Sequence, residues 1–159
     1  MKKLITSTFV AIAAIAIYAC GGGEHKPIPG TEPKGEPTAA STVAAANPKG
    51  IGKFQNVEVP AALDHSMADK GEAVSKTKCL SCHKLSDEKL VGPGWKDVTK
   101  RRTPEWIMNF ITNTEEMLEK DPEAIKSLEI CLVRMPNQNL TDEEARQVYE
   151  YMRKVDGVK

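Results

Sequence analysis

The feature that most constrains the fold of this chain is a short run with two cysteines and a histidine. Cys79-Leu80-Ser81-Cys82-His83 places two thiols at a fixed spacing and an imidazole directly after the second. Two thiols at this spacing can add to the two vinyl groups of one haem, and the next imidazole is then placed under the iron. The motif therefore predicts one haem c, covalently bound through Cys79 and Cys82, with His83 as a ligand of the metal.

Two other chemistries also use a Cys-x-x-Cys pair, and the rest of the sequence favours neither. A dithiol redox site expects a strand–helix setting, which the pattern around residue 79 lacks. A zinc site needs two more close-set Cys or His ligands. Cys131 stands alone, and His25 and His65 lie in or beside a segment with the composition of a linker. Haem attachment is the favoured interpretation.

The N-terminal segment has the pattern of a secretory signal. Lys2 and Lys3 precede an uncharged apolar run over residues 4–19. The alternative, a short transmembrane anchor, needs about 20 apolar residues, more than this run supplies. The run ends in Ile17-Tyr18-Ala19-Cys20, which resembles a bacterial lipobox and implies that Cys20 is lipidated and becomes the mature N-terminus. We therefore expect a lipoprotein signal peptide over residues 1–19.

Residues 20–60 are predicted to form a lipid-anchored flexible linker. Gly, Pro, Ala, Thr and Lys dominate this segment, which offers almost no large apolar residue for a core. A flexible chain of about forty residues has a root-mean-square reach of roughly 35 Å. The expected location is a bacterial cell envelope, with the protein lipid-anchored to a membrane and the folded domain of residues 61–159 in the periplasm.

Helix signals dominate residues 61–159, so the fold class is predicted to be all-α. Residues 67–78 are rich in helix formers, and sustained alternation of apolar and polar residues is missing. Capping residues mark later helix starts at Thr103-Pro104-Glu105, Asp121-Pro122-Glu123 and Thr141-Asp142-Glu143-Glu144. The helix predicted to begin at the last of these sites has one apolar face, which contains Ala145, Val148, Tyr149, Met152 and Val155.

An iron bound by one histidine needs a sixth ligand or leaves an open site, and Met135 is the favoured candidate. Met135 lies 52 residues after His83 and directly before Pro136, which disfavours helix and can present the thioether from a stiff loop. Its alternative role is to fill a gap in the core. Met108 and Met117 sit inside helical patterns and fit core positions better. Met67 precedes the first predicted helix, and His65 could be a distal ligand if the linker folded back.

Over residues 67–155 the sequence resembles the class I c-type cytochromes. The matching features are Gly71 eight residues before Cys79, the cysteine–histidine motif, Gly92-Pro93, Met135-Pro136 and an aromatic-rich last helix. The resemblance implies a small cytochrome c fold, with helices around one haem and crossing N- and C-terminal helices. It implies that the Pro93 carbonyl orients His83 and that Gly71 faces the stripe from Val148 to Met152. Trp106 looks similar to the aromatic neighbours of the haem propionates, although core packing explains it equally well.

Two residues depart from the family pattern. Ser75 stands where the family commonly places an aromatic residue, so the helix crossing is expected to pack differently. Cys131 has no family role. It is interpreted as a small buried apolar residue, with a free thiol that links two chains, or a sixth iron ligand, as alternatives.

The resemblance implies a monomeric one-electron carrier, not an enzyme, that exchanges electrons with a donor and an acceptor redox protein. Eight basic residues against three acids lie between Lys76 and Arg102, and seven acids against two lysines lie between Glu105 and Glu129. This asymmetry suggests a basic docking side, with ordinary solvated helix faces as the alternative. The net charge of +0 argues against nucleic acid as a partner.

Three other functions stay open at this point. One is a haem enzyme or gas sensor with an open sixth site, and another is a fixed cytochrome subunit of a reductase or oxidase complex. The third is a purely structural lipoprotein without haem.

Overall fold

The computed structural model describes residues 47–159, which contain six α-helices and no strand. The helices are α1 His65–Lys78, α2 Val98–Arg101, α3 Pro104–Thr112, α4 Thr114–Lys120, α5 Pro122–Cys131 and α6 Asp142–Val155. None of the helices in this part is long and apolar enough to cross a membrane. The predicted all-α class is confirmed. The signal peptide over 1–19, the lipidated Cys20 and the linker up to residue 46 lie outside the described residues.

Local capping explains where three of the helices begin. The Thr103 and Asp121 side chains accept hydrogen bonds from the first-turn backbone N–H groups of α3 and α5, and a proline follows each cap. Thr141 and Glu144 form a reciprocal capping box at the start of α6. These three predicted helix starts are confirmed. Helix α1 begins two residues before its prediction, capped by Asp64, so Met67 lies within it.

Helices α1 and α6 cross in close contact because α1 carries a glycine at the crossing. A Cβ atom on Gly71 would lie 1.9 Å from the carbonyl oxygen of Gln147 and 3.0 Å from the Cβ of Tyr151. The predicted crossing of Gly71 with the last helix is therefore present, with Gln147 and Tyr151 as the nearest contacts. The neighbouring Ser75 is fully buried and its hydroxyl has no hydrogen-bond partner.

A buried carboxylate in α6 connects this helix to the segment that precedes α1. Glu150 is fully buried and accepts hydrogen bonds from Arg146 at 2.5 Å, Arg153 at 2.7 Å and the Asp64 N–H at 2.9 Å. Arg153 also donates to the Pro60 carbonyl at 2.7 Å. Burial alone would raise the pKa of Glu150, but the hydrogen bonds from Arg146, Asp64 and Arg153 outweigh it and hold the pKa below its usual range.

We predict that Glu150→Gln destabilises the fold by about 3 kcal/mol at pH 7, because it leaves the buried Arg153 guanidinium without a counter-charge. Since the pKa of Glu150 is lowered on folding, its contribution is present above the unfolded value of about 4.3 and is lost as pH falls further. Denaturant unfolding from pH 7 to pH 3 therefore shows a weaker acid dependence in the variant. Glu143→Gln, at an exposed position of the same helix, is the control. Equal acid dependence in Glu150→Gln and the wild type would contradict this assignment.

Residues 47–60, which we call the N-terminal strap, pack against the helical domain, so the predicted linker boundary at residue 60 is wrong. Ile51, Phe54, Val57 and Val59 are partly buried against the core. The buried amide of Asn109 donates to the carbonyls of Lys49 and Phe54 and accepts from the Phe54 N–H, each at 2.9 Å. Among the described residues, the folded unit therefore begins at residue 47. The prediction failed because these apolar residues follow neither a helical nor a strand period.

We predict that Asn109→Ala lowers the free energy of unfolding by about 3 kcal/mol, since three hydrogen bonds between the strap and α3 are lost at a buried position. Denaturant unfolding measures the loss, and limited proteolysis shows whether cleavage rises within residues 47–60. Asn56→Ala, an exposed strap position, is the control and is expected to change stability by less than about 0.5 kcal/mol. An equal effect of the two substitutions would show that the Asn109 hydrogen bonds do not hold the strap against α3.

Candidate haem-binding site

All of the predicted cofactor residues line one apolar cavity of about 210 Å³. Cys79, Cys82 and His83 reach it from the turn after α1, Trp106 from α3, and Met135 from the loop before α6. Pro93 adds to the same wall. Much of the remaining lining is apolar and comes from several parts of the chain: Ile107, Phe110, Ile111, Leu118, Leu128, Leu140, Val148 and Met152. The fold thus assembles residues that are far apart in sequence.

The cysteine–histidine motif forms a tight turn at the C-terminal end of α1. The N–H groups of Cys82 and His83 donate to the Cys79 carbonyl at 3.0 and 3.1 Å. The following loop folds back onto this turn, because the N–H groups of Val91 and Gly92 donate to the Cys82 carbonyl at 3.2 and 2.9 Å. Both sulfurs and the imidazole are thereby presented to the cavity from one short segment.

The orientation of His83 is set by a backbone carbonyl. The ring Nδ1 of His83 lies 2.8 Å from the Pro93 oxygen. A carbonyl oxygen can only accept, so Nδ1 carries the hydrogen and Nε2 is the free acceptor of the ring. Burial lowers the pKa of His83, although the hydrogen bond to Pro93 opposes the shift. The neutral ring, which is the metal-binding form of histidine, is therefore favoured near pH 7.

Two neighbours hold the His83 ring in place. A Cβ atom on Gly92 would lie 2.4 Å from the ring's Cε1 atom, so only glycine permits this approach. The Trp95 ring lies 5.7 Å from the His83 ring between centroids, and Tyr151 of α6 packs edge-on against Trp95 at 6.4 Å. The His83 ring is thus packed indirectly against the last helix.

Burial also sets the protonation state of the first cysteine of the motif, Cys79. Burial raises the pKa of the Cys79 thiol to about 11, although nearby Ser75 and Lys78 lower it in part. The unattached thiol is therefore neutral at physiological pH.

In the described part of the chain, no group of three His, Cys, Asp or Glu side chains is placed to hold a metal ion.

Of the candidates for a sixth ligand, Met135 lines the cavity and His65 does not. Met135 lies on a braced loop, in which the Gln138 amide donates to the Pro136 carbonyl at 3.1 Å. His65 is the exposed first residue of α1 and lies outside the cavity wall. Met108 and Met117 are core residues, as predicted. The interpretation of Cys131 as a small buried apolar residue is wrong, because its free thiol is half-buried and also lines the cavity.

Trp106 forms part of the cavity wall, while its N–H is used elsewhere. The indole Nε1 donates to Asp121 at 3.2 Å, Phe110 stacks on the ring at 5.1 Å, and the Arg102 guanidinium lies over the ring at 4.5 Å. Trp106 therefore offers the cavity an aromatic surface and no free hydrogen-bond donor.

The comparisons identify the family. The family model for cytochrome c matches residues 68–156 of the chain. This protein belongs to the cytochrome c family. Among solved structures it is similar to cytochrome c from Rhodothermus marinus, with 35% identity and a TM-score of 0.64 over 66% of this chain and 90% of that chain.

Two structures of an engineered Rhodothermus marinus cytochrome c, Rma TDE, are also similar. Each has 32% identity and covers 69% of this chain and 98% of its own, with TM-scores of 0.65 and 0.62. The second of them is bound to a carbene intermediate, 1-ethoxy-1-oxopropan-2-ylidene. The comparison with curated proteins found no significant match.

As a cytochrome c, the protein carries haem c attached through cysteines and acts as a haem-based electron carrier. The residues present fit this cofactor. The paired cysteines, the neutral imidazole and Gly92, which lies against the His83 ring, all line a cavity whose wall is largely apolar. The predicted small cytochrome c fold is confirmed.

Sequence reasoning missed several wall residues of this cytochrome c. Trp95 comes directly after Pro93-Gly94, a signal that could have placed it beside the histidine. Arg101 and Arg102 line the cavity from α2 and the residue that follows it. Arg102 pairs with Glu123 at 2.7 Å, whereas Arg101 donates to backbone carbonyls, including that of Lys96 at 3.1 Å. Helix α2 has only four residues, too few for a periodic pattern.

We predict that Gly92→Ala displaces the His83 ring, because the added methyl group cannot fit beside Cε1. The expected result is a changed optical spectrum of the haem-loaded protein and a loss of stability of about 2 kcal/mol. Gly157→Ala is the control, since its φ of 89° strains any side chain but no atom lies within 4 Å of the new Cβ. A wild-type spectrum in Gly92→Ala would show that the ring tolerates the methyl group.

Proposed function

We propose that this cytochrome c is a one-electron carrier in which His83 and Met135 are the two axial ligands of the haem iron. The observation that supports this most is that both side chains line the same apolar cavity, although 52 residues separate them in sequence. Bound haem iron supplies a one-electron couple. With both axial positions filled, no vacancy is left for a substrate, so the protein is not an enzyme in this proposal.

The surrounding residues favour the reduced state. Methionine opposite histidine raises the reduction potential relative to two histidines, and an apolar wall disfavours the extra charge of ferric iron. Buried residues such as Ile107, Ile111 and Leu118 exclude water from the cavity. Pro93 holds the His83 tautomer that leaves Nε2 free. The expected centre is a relatively oxidising relay.

The proposed setting is the envelope of a bacterium, with Cys20 lipidated and the haem domain in the periplasm. Support comes from the signal-like start and the lipobox resemblance of the sequence. With the strap packed on the domain, the proposed linker is residues 20–46, whose reach as a flexible chain is roughly 30 Å. Such a tether suits a monomer that moves between a donor and an acceptor redox protein. A fixed subunit would instead copurify with a reductase or oxidase complex.

We predict that Met135→Ala removes the weak ferric methionine-to-iron band near the red end of the spectrum and yields a high-spin centre that binds carbon monoxide when reduced. The measurement is an optical spectrum of the haem-loaded protein, oxidised and reduced, with and without carbon monoxide. Met67→Ala is the matched control, since Met67 does not line the cavity. Cys131→Ser, at a free thiol that also lines the wall, is likewise expected to retain the wild-type spectrum.

A high-spin wild-type spectrum, or rapid carbon monoxide binding by the reduced wild type, would instead favour the haem enzyme or gas sensor. A wild type without that band, whose spectrum changes in Cys131→Ser and not in Met135→Ala, would move the sixth ligand to the thiol. A colourless protein would overturn the proposal entirely.

A further inference from the structure

Three aromatic rings form a column that begins at the proposed iron ligand. The His83 and Trp95 ring centroids lie 5.7 Å apart, and the Trp95 and Tyr151 centroids lie 6.4 Å apart in an edge-on arrangement. These separations are those of directly packed aromatic pairs. His83 and Trp95 line the cavity, whereas Tyr151 does not. The three rings, which we call the aromatic column, therefore lead out of the cavity into the α1–α6 crossing.

The two outer rings of the column are held firmly by the fold. Trp95 is 6% exposed and Tyr151 is 5% exposed. The Trp95 backbone N–H donates to the Lys84 carbonyl at 2.9 Å, which fixes Trp95 to the residue after His83. A Cβ atom on Gly71 would lie 3.0 Å from the Cβ of Tyr151, so the close helix crossing confines Tyr151 as well. The spacing of the rings is therefore set by packing.

The outer end of the column lies beside a group of surface ion pairs. Burial raises the pKa of the Tyr151 phenol, and the Glu72 carboxylate raises it further. The Lys76 and Lys154 ammonium groups lower it in part. Glu72 pairs with Lys76 at 2.7 Å and with Lys154 at 3.5 Å, and all three side chains reach solvent. The column therefore connects the cavity with the surface, and its last member is a protonated phenol at pH 7.

Packing alone does not explain the chemistry of the two outer rings. Phenylalanine or an aliphatic residue can fill a buried position equally well, but tryptophan and tyrosine can also release one electron. The chain contains only two tryptophans and three tyrosines, and the column uses one of each. Cycling between ferrous and ferric iron is too weakly oxidising to remove an electron from either ring. The column is therefore suited to a stronger oxidant.

We propose that the aromatic column carries oxidising equivalents from the haem to Tyr151 when the iron meets hydrogen peroxide, and so protects the cofactor and its ligands. This function goes beyond the electron carrier proposed above, and it rests on His83 as an iron ligand. Peroxide reaches the iron only while the Met135 thioether is away from it. The column thus acts in an occasional side reaction and leaves ordinary electron exchange unchanged.

Electrons and protons balance in this reaction. Reduction of one hydrogen peroxide to two waters breaks the O–O bond and consumes two electrons and two protons. Ferrous iron supplies one electron and becomes ferric. Trp95 supplies the other and regains it from Tyr151, whose phenol O–H bond breaks. The phenol proton passes to solvent and replaces one of the two protons consumed. A small reductant such as ascorbate then returns one electron and one proton to Tyr151.

The test mixes the reduced, haem-loaded protein with hydrogen peroxide and records electron paramagnetic resonance spectra of samples frozen during the reaction. The wild type is expected to show a tyrosyl radical, with a larger yield in Met135→Ala. Tyr151→Phe keeps the ring and removes the phenol, so it is expected to lose the radical and to lose its haem absorbance faster under repeated peroxide. Trp95→Phe is expected to lose the tyrosyl radical although Tyr151 is present.

Tyr149→Phe is the matched control, because Tyr149 is equally buried on α6 and lies outside the cavity wall. It is expected to keep both the radical and the wild-type rate of haem loss. A tyrosyl radical that persists in Tyr151→Phe or in Trp95→Phe would overturn the proposal. Equal rates of haem loss in Tyr151→Phe and the wild type would also overturn it, as would the absence of a radical in both the wild type and Met135→Ala. Failure of mediators to reduce and reoxidise the haem would instead overturn the electron-carrier function, which the peroxide experiment does not measure.

Discussion

The hydrogen bond between the His83 ring and the Pro93 carbonyl links the two segments on which the haem site depends. One is the turn that carries both cysteines at the end of α1, and the other is the loop that returns beneath the imidazole. The bond fixes which nitrogen carries the proton, and Gly92 and Trp95 then confine the ring. With the ring confined in this way, His83 would present Nε2 in a single orientation to the iron of a bound haem, as proposed above.

The rest of the domain supplies the wall of the cavity, and the α1–α6 crossing holds it together. Gly71 brings α1 close to α6, and α6 contributes Val148 and Met152 to the cavity. Glu150, with Arg146 and Arg153, ties α6 to the chain just before α1. The carbonyls of Pro60 and Ala61 accept from Arg153, so the end of the strap depends on the same ion-pair network.

The strap fixes the place on the domain where the proposed tether would end. At the start of the strap, the Pro48 carbonyl accepts a hydrogen bond from the Thr103 hydroxyl at 2.7 Å, and Thr103 caps the helix that carries Trp106. A Cβ atom on Gly50 would lie 3.1 Å from the Trp106 ring, so the strap packs directly behind one wall of the haem cavity. From residue 47 onward, the chain that would follow the proposed tether packs against the domain that carries this cavity.

The sequence by itself determined the features that depend on neighbouring residues. The haem motif, the caps at Thr103, Asp121 and Thr141, and the all-α class follow from spacing and from local hydrogen bonding, which act over a few residues. Only the tertiary structure decided which distant side chains share the cavity. It brought Cys131 into the wall, excluded His65 and placed the strap against Asn109. It also gave Leu132, at the end of α5, a backbone conformation in the left-handed region. These outcomes depend on packing between segments far apart in the chain, for which local sequence patterns carry no signal.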